Sequence, residues 1–199
     1  MIAIFSDTHS VSGHELEGAA LRAAREADVV IHAGDFTSEA ALEAFQEECE
    51  VFFPVHGNAD SAAVRERLPT ARVVEAAGVR FGVTHRRDGG EMGLVMFGRS
   101  RDADIVVSGH SHRPTVVETE DVLLLNPGSH ADPRGNRPGF AVLEPRSDGK
   151  VSEQNETESE QGEVADDGRK AFEGEIREPD GTKVTSFELR VTGADAPEE

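Results

Sequence analysis

Apolar residues in this chain come in short blocks, each closed by polar or turn-forming residues. Residues 1–5 read MIAIF and stop at Ser6 and Asp7, a length that predicts a buried strand. Ser12 and Glu15 have the spacing of a capping box, and the alanine- and leucine-rich stretch ELEGAALRAAREA that follows predicts a helix. VVIHAGD then predicts a second buried strand, SEAALEAFQEE a second helix, and EVFFPVHGNAD a third strand running into a glycine. This order of strand and helix means βαβ units in an α/β sheet.

The middle of the chain changes character. ARVVEAAGVRFGVTH is two β-rich runs joined at Ala77-Gly78, which predicts a hairpin, and EMGLVMFGRSRD predicts a helix despite its glycines. ADIVVSGHSH, TVVETEDVLLLNPGS and GFAVLE add four more short strands. A single parallel sheet does not fit this series. The expected fold is an α/β four-layer αββα sandwich, two mixed β-sheets flanked by helices.

Beyond this the periodicity lapses. Residues 146–169 carry no apolar pattern and read as an acidic, flexible segment. Residues 170–192 alternate apolar and polar about Pro179-Asp180-Gly181-Thr182, which predicts a β-hairpin packed on the sheet edge, and residues 193–199 a frayed tail.

Charge sharpens the division. The 199 residues hold 39 acids against 20 Lys and Arg, for a formal net charge of −19. Of these, residues 147–199 hold 16 acids and 6 bases, and residues 1–146 hold 23 and 14. Only Lys150, Lys170 and Lys183 are lysines. Acid excess with scarce lysine suits a protein kept soluble in concentrated salt. It argues against general nucleic-acid binding, which rests on phosphate neutralisation. The lone Cys49 excludes an intrachain disulfide and a cysteine-based zinc site. The N-terminus lacks a basic, long apolar leader and no stretch has the length of a membrane span, so a cytoplasmic location without membrane contact is expected.

The chemistry gathers where the predicted strands end. They finish in Asp7-Thr8-His9, Gly34-Asp35, Gly57-Asn58, Thr84-His85 and Gly109-His110-Ser111-His112. Ligands of α/β sheets bind at the carboxyl ends of strands. In extended backbone, residues two apart share a face, so His110 and His112 can serve one pocket. His14, His32, His56 and His130 are read as surface or packing residues.

In this order, D-x-H, G-D, G-N, a strand-end His and G-H-x-H resemble the calcineurin-like metallophosphoesterases. Asn126-Pro127-Gly128-Ser129 and Pro133-Arg134 resemble the family's small bacterial and archaeal phosphodiesterase branch. The resemblance covers residues 1–145, which it marks as a metallophosphoesterase domain. It implies one divalent ion held by Asp7, His9, Asp35 and His112 and a second held by Asp35, Asn58, His85 and His110. Asp35 bridges the two, and Asp35 and Asn58 are the catalytic positions.

Two cations so placed clamp both oxygens of a phosphoryl displacement and activate a bridging hydroxide. Imidazole and carboxylate ligands suit Mn²⁺, Ni²⁺, Fe or Zn²⁺ and do not choose among them; Mn²⁺ is the expected ion. The reading is a metal-dependent phosphodiesterase acting on a small phosphodiester, with room for a homo-oligomer. Two alternatives share the fold. One is an interaction scaffold like the family's retromer subunit, and the other a phosphomonoesterase, whose dianionic substrate enters an acidic pocket less readily.

Two positions depart from the family pattern. Many members carry histidine, and the small phosphodiesterases often cysteine, where this chain has Ala59. Loss of a positioned acid costs about 10²–10⁴-fold, which predicts a preference for acidic leaving groups. Arg86 stands where a glycine is usual, and Arg86 or its neighbour Arg87 can reach a substrate phosphate. The charge balance predicts that the melting temperature and solubility rise with KCl into the molar range. A thermal-shift series flat or falling in KCl contradicts the salt adaptation.

Overall fold

The computed structural model describes residues 1–146 and 169–192. The expected acidic segment, apart from its two end residues, and the tail at 193–199 lie outside the described residues. In chain order the elements are β1 (Ile2–Phe5), α1 (Gly18–Glu26), β2 (Val29–His32), α2 (Glu39–Glu48), β3 (Phe52–Pro54) and α3 (Ala62–Arg67). They continue with β4 (Ala71–Ala76), β5 (Val79–Thr84), α4 (Gly90–Arg99), β6 (Ile105–Val107), β7 (Thr115–Glu118) and β8 (Leu123–Asn126). The last three are β9 (Phe140–Pro145), β10 (Arg169–Arg177) and β11 (Lys183–Thr192).

Two mixed sheets form. One has the order β11-β10-β9-β1-β2-β3 and the other β4-β5-β6-β8-β7. Strands β1, β2 and β3 run parallel, as do β5, β6 and β8. Strands β1 (IAIF) and β6 (IVV) are apolar and buried at every position because both faces are covered. Ile2 and Ile4 enter the core between the sheets with Ile31, Phe81, Ile105, Val107 and Leu125. Ala3 and Phe5, the alternate positions of β1, face Ala20, Ala24, Leu42 and Phe45 of α1 and α2. On the far side Val106, Val122 and Leu124 meet Phe97 of α4. The layering is therefore αββα.

Glycine makes the α4 contact close, since a Cβ on Gly98 would lie 2.7 Å from Val106 Cγ2. The Ala77-Gly78 turn has positive φ at both residues (55° and 87°), as the tight hairpins of right-twisted strands require.

One local expectation is corrected, and one helix is added. The Ser12–Glu15 pair does not cap α1. Glu15 instead accepts from Ser10 Oγ at 2.7 Å, and the helix begins only at Gly18, with no side-chain cap. A long-range contact replaces it: the Pro179 carbonyl, in the turn between β10 and β11, accepts from the Ala19 and Ala20 amides at 2.7 and 3.3 Å. Those are orphan donors of a helix start. Helix α3 was not read from the sequence. It is one short segment, N-capped by Ser61 Oγ, which accepts from the Val64 amide.

Strand β10 pairs antiparallel with β9 and extends the first sheet. Opposite each other on β10 and β11, Gly174 and Phe187 form a cross-strand pair. A Cβ on Gly174 would lie 2.1 Å from the ring, so Phe187 occupies the space a side chain would take. Gly174→Ala is therefore expected to cost about 1–3 kcal/mol in urea unfolding. Gly13→Ala, where nothing lies within 4 Å of the added carbon, should be near neutral. Equal stabilities of the two variants would contradict this packing.

Candidate metal centre

Strands β1, β2 and β3 of one sheet and β5 and β6 of the other deliver their carboxyl ends to one place. Past their last ladder positions, the β1 and β2 segments stay zipped together. The Asp7, His9 and Ser10 amides donate to the carbonyls of Gly34, Asp35 and Phe36 at 2.9, 3.0 and 3.1 Å. This register sets Asp7 and His9 beside Asp35.

Five of the expected ligands converge. Asp7, His9 and His112 present ligand atoms within 4.8 Å of one another, and so do Asp7, Asp35 and His85. Asp7, Asp35, His85 and His112 are buried to 3% exposure or less. Asp35 Oδ2 lies 3.3 Å from His9 Nε2 and 3.1 Å from His85 Nε2, and His112 Nε2 lies 3.4 Å from Asp7 Oδ1. The other two expected ligands stand at the exposed rim. His110 packs edge-on against the His85 ring, centroids 5.4 Å apart, and Asn58 lines a cleft together with His85.

The tautomers follow from the hydrogen bonds. His85 Nδ1 lies 2.8 Å from the Ala33 carbonyl and His112 Nδ1 contacts the Asp132 carbonyl, so each Nδ1 carries the proton as donor. Each neutral ring then turns an Nε2 lone pair toward a carboxylate oxygen. Both Nε2 atoms are buried without a hydrogen-bond partner. Lone pair against lone pair at this range is repulsive, and the arrangement becomes favourable with a proton or a metal ion between them. Hard carboxylate and borderline imidazole donors without thiolate fit a divalent first-row ion, and Cys49 is buried apart, among the helix-facing residues. Residues and chemistry fit a metal.

Without an ion, protons take that role. Burial works against a charged His9, but Asp35 and Asp7 outweigh it and hold its pKa up to about 9. His85 is likewise raised, Asp35 and Asp7 overcoming burial. Burial also opposes ionisation of Asp35, yet His85 and His9 keep that carboxyl well below the usual carboxylate range. His110 moves the other way, lowered by burial and then by His85 and Arg86.

The backbone is strained where the candidate ligands sit. Asp7, His9, Asp35, His110 and His112 all have positive φ, between 48° and 71°. Such conformations cost on the order of 1–3 kcal/mol each and persist where surroundings over-determine them. Here those surroundings are hydrogen bonds. Asp7 accepts from Ser6 Oγ at 2.7 Å and from the His110 amide at 3.1 and 3.0 Å, and Asp35 Oδ1 accepts from the Ala59 amide at 2.7 Å. The motif glycines make room. A Cβ on Gly57 would lie 2.1 Å from Asp35 Oδ1, and one on Gly109 would lie 2.0 Å from Ser6 Oγ and 2.6 Å from Asp7 Oδ2.

Residues beyond the expected ligands support the site, and one of them, Asp60, has no signal in the sequence that marks it as buried. Asp60, buried in what looks like a plain turn, accepts from the amides of Asp35 (3.1 Å), Gly57 (2.7 Å) and Thr37 (2.7 Å). Asn126 Nδ2 donates to the Gly109 carbonyl at 2.8 Å, and Ser129 Oγ to the Asp7 carbonyl at 2.6 Å. The Asn-Pro-Gly-Ser stretch thus braces both ligand loops. His32 is a packing residue that ties Thr8 to Gly34, and burial lowers its pKa well below the ordinary value. The only available signal for Asp60 was its two-residue distance from Asn58.

Arginines ring the site unequally. Arg134 Nη2 lies 3.4 Å from both nitrogens of the His9 ring, with Arg134 Nε on Asp132 at 2.9 Å. Arg86 lines the cleft with Asn58 and His85, whereas Arg87 packs over the Phe97 ring, 4.2 Å from its centroid.

Residues 1–148 match the model of the calcineurin-like phosphoesterase superfamily domain. A probable metallophosphoesterase of Methanothermobacter thermautotrophicus is 36% identical over 150 residues, covering 72% of this chain and 84% of that protein. A phosphodiesterase of Methanocaldococcus jannaschii is 28% identical over 138 residues, or 64% of this chain and 82% of that protein. Among solved structures, Vps29 of Chaetomium thermophilum superposes with a TM-score of 0.65 at 17% identity, over 97% of this chain and 98% of that one. At that identity the likeness concerns the fold alone, and its coverage takes in the terminal hairpin.

The protonation of His9 and His85 makes metal binding proton-linked. An ion must expel the His9 proton, so apparent affinity rises with pH up to the His9 pKa of about 9 and levels off above it. Titration calorimetry at pH 7 in buffers of different ionisation enthalpy is expected to show proton release on Mn²⁺ binding. Release of none would contradict the proton-held arrangement.

Proposed function

This chain belongs to the calcineurin-like phosphoesterase superfamily, and we propose that within it the chain is a metal-dependent phosphodiesterase with a binuclear centre. In this reading Asp7, His9, Asp35 and His112 hold one divalent ion, and Asp35, Asn58, His85 and His110 the other. The observation that carries it is the single oxygen Asp35 Oδ2, 3.3 Å from His9 Nε2 and 3.1 Å from His85 Nε2. One carboxylate oxygen between lone pairs from two different sheets is the geometry of a shared ligand. The phosphodiesterase of Methanocaldococcus jannaschii supports the choice of substrate class.

Bound there, two divalent ions supply Lewis-acid charge to the phosphoryl group and lower the pKa of water to near neutrality. The protein's own part is positional. Ala59 N fixes Asp35 Oδ1 and leaves Oδ2 for the centre, and the Ala33 and Asp132 carbonyls fix the His85 and His112 tautomers. Asn58 and His110, at the rim, complete the second set on the side from which substrate arrives. Arg86, in the same cleft, offers a guanidinium to the non-bridging phosphate oxygens.

Ala59 carries only a methyl group, so no side chain at that position protonates the departing oxygen. Esters of acidic alcohols are then favoured. Mn²⁺ is the expected ion, and a soluble intracellular setting suits a small diester substrate. Among the described residues no helix is long and apolar enough to cross a membrane. The buried, partnerless nitrogens of His85 and His112 favour a bound metal ion, which the enzymatic reading requires.

The test is hydrolysis of bis(4-nitrophenyl) phosphate by chelator-stripped protein in high KCl, with and without Mn²⁺, Ni²⁺ or Zn²⁺. Turnover should require metal. Asp35→Asn should lower it at least about 100-fold, because even supporting residues around a metal cost 10–100-fold when changed. Aryl diesters should exceed alkyl diesters beyond their intrinsic reactivity difference. No turnover with any of the three ions would remove the enzymatic reading.

A further inference from the structure

Two clefts flank the metal centre, and they differ in charge. The first, about 380 Å³, is lined by Asn58 and His85 together with His56, Arg65, Thr70 and Arg86, and no carboxylate lines it. The second, about 500 Å³, runs from His9 past Ser10 to Glu15 and Glu17, and no arginine or lysine lines it. Acids outnumber bases 39 to 20 in this chain, so a cleft with two guanidiniums and no acid goes against the prevailing charge.

Both arginines are placed by the ligand loops themselves. Arg65, on α3, donates from Nη2 to the Asn58 carbonyl at 2.8 Å, which holds its guanidinium beside a candidate ligand and leaves its other N–H groups available. Arg86 directly follows His85, and the one carboxylate within 4 Å of it among the described residues is the fully exposed Asp88, at 3.9 Å. One arginine is sufficient to contact the reacting phosphate. A second, with His56 and the Thr70 hydroxyl beyond it, extends the anion-binding surface past the reacting centre.

We propose that this cleft is a subsite for a second anionic group carried by one arm of the substrate. The substrate class is then a phosphodiester in which one alcohol bears its own phosphate or carboxylate. The proposal rests on the phosphodiesterase reading above and narrows it. Guanidinium matches either anion with paired hydrogen bonds. At ordinary ionic strength the local pair acts within a Debye length of about 10 Å, where the distant acidic surface is screened. Glu15 and Glu17 repel the same group from the opposite cleft, so the two arms of the diester are told apart and the substrate is bound in one orientation.

Two substrates with one leaving group test this: methyl 4-nitrophenyl phosphate and 2-phosphonoethyl 4-nitrophenyl phosphate. The wild-type protein with Mn²⁺ should favour the phosphonate about tenfold or more in kcat/KM, mainly through KM. This ratio should shrink as KCl rises. In the double variant Arg65→Gln, Arg86→Gln it should fall to near one, while Arg22→Gln, an exposed charge on α1, preserves it. If Arg65 serves only to hold the Asn58 loop, both substrates slow together and the ratio persists, which overturns the subsite. A wild-type ratio near one overturns it too and leaves the phosphodiesterase reading standing. Failure to turn over either substrate with any metal removes both.

Discussion

Lone pairs forced together in a dry place are the constraint on which this structure depends. The nitrogens of His85 and His112 face the oxygens of Asp35 and Asp7 at 3.1 and 3.4 Å, among side chains that are almost fully buried. Charged groups without compensation cost several kcal/mol at such a site. The arrangement is stable only with positive charge inside it, which protons or metal ions can supply. The raised pKa values of His9 and His85 and the depressed one of Asp35 express the same demand.

The demand shapes the backbone around it. Five candidate ligand residues sit at positive φ, and glycines at 57 and 109 leave space where any side chain would strike a carboxylate or its hydroxyl partner. Helices and parallel strands supply the rigidity that holds this strain. The β1 and β2 segments remain hydrogen-bonded beyond their ends, Asp60 collects three amides, and Asn126 and Ser129 brace the loops from the second sheet. A site built across two sheets thus depends on the sandwich core between them. Displacement of one sheet by even an ångström would open it.

Charge is distributed with equal consequence. The chain as a whole repels anions, yet the rim of the centre carries Arg65, Arg86 and Arg134. Screening in salt weakens the global field much more than contacts at hydrogen-bonding distance. An anionic substrate can therefore be bound locally by a protein that is strongly acidic overall.

The linear sequence by itself determined the layering and the identity of the chemistry. Unbroken apolar runs such as IAIF and VLLL mean strands covered on both faces. Their polar ends, Asp7-Thr8-His9 through His110-Ser111-His112, carry the metal-competent side chains because parallel strands end on one side. These signals are local, one residue after another. What only the tertiary structure decided are partnerships between residues far apart in the chain. The amides at the start of α1 found the Pro179 carbonyl and not the nearby Ser12–Glu15 pair, because the hairpin lies against that helix. Asp60 became a buried acceptor of three amides, and Arg87 packed on Phe97 while Arg86 lined the cleft. Sequence spacing records neither direction nor burial, and a hydrogen bond or an ion pair depends on both.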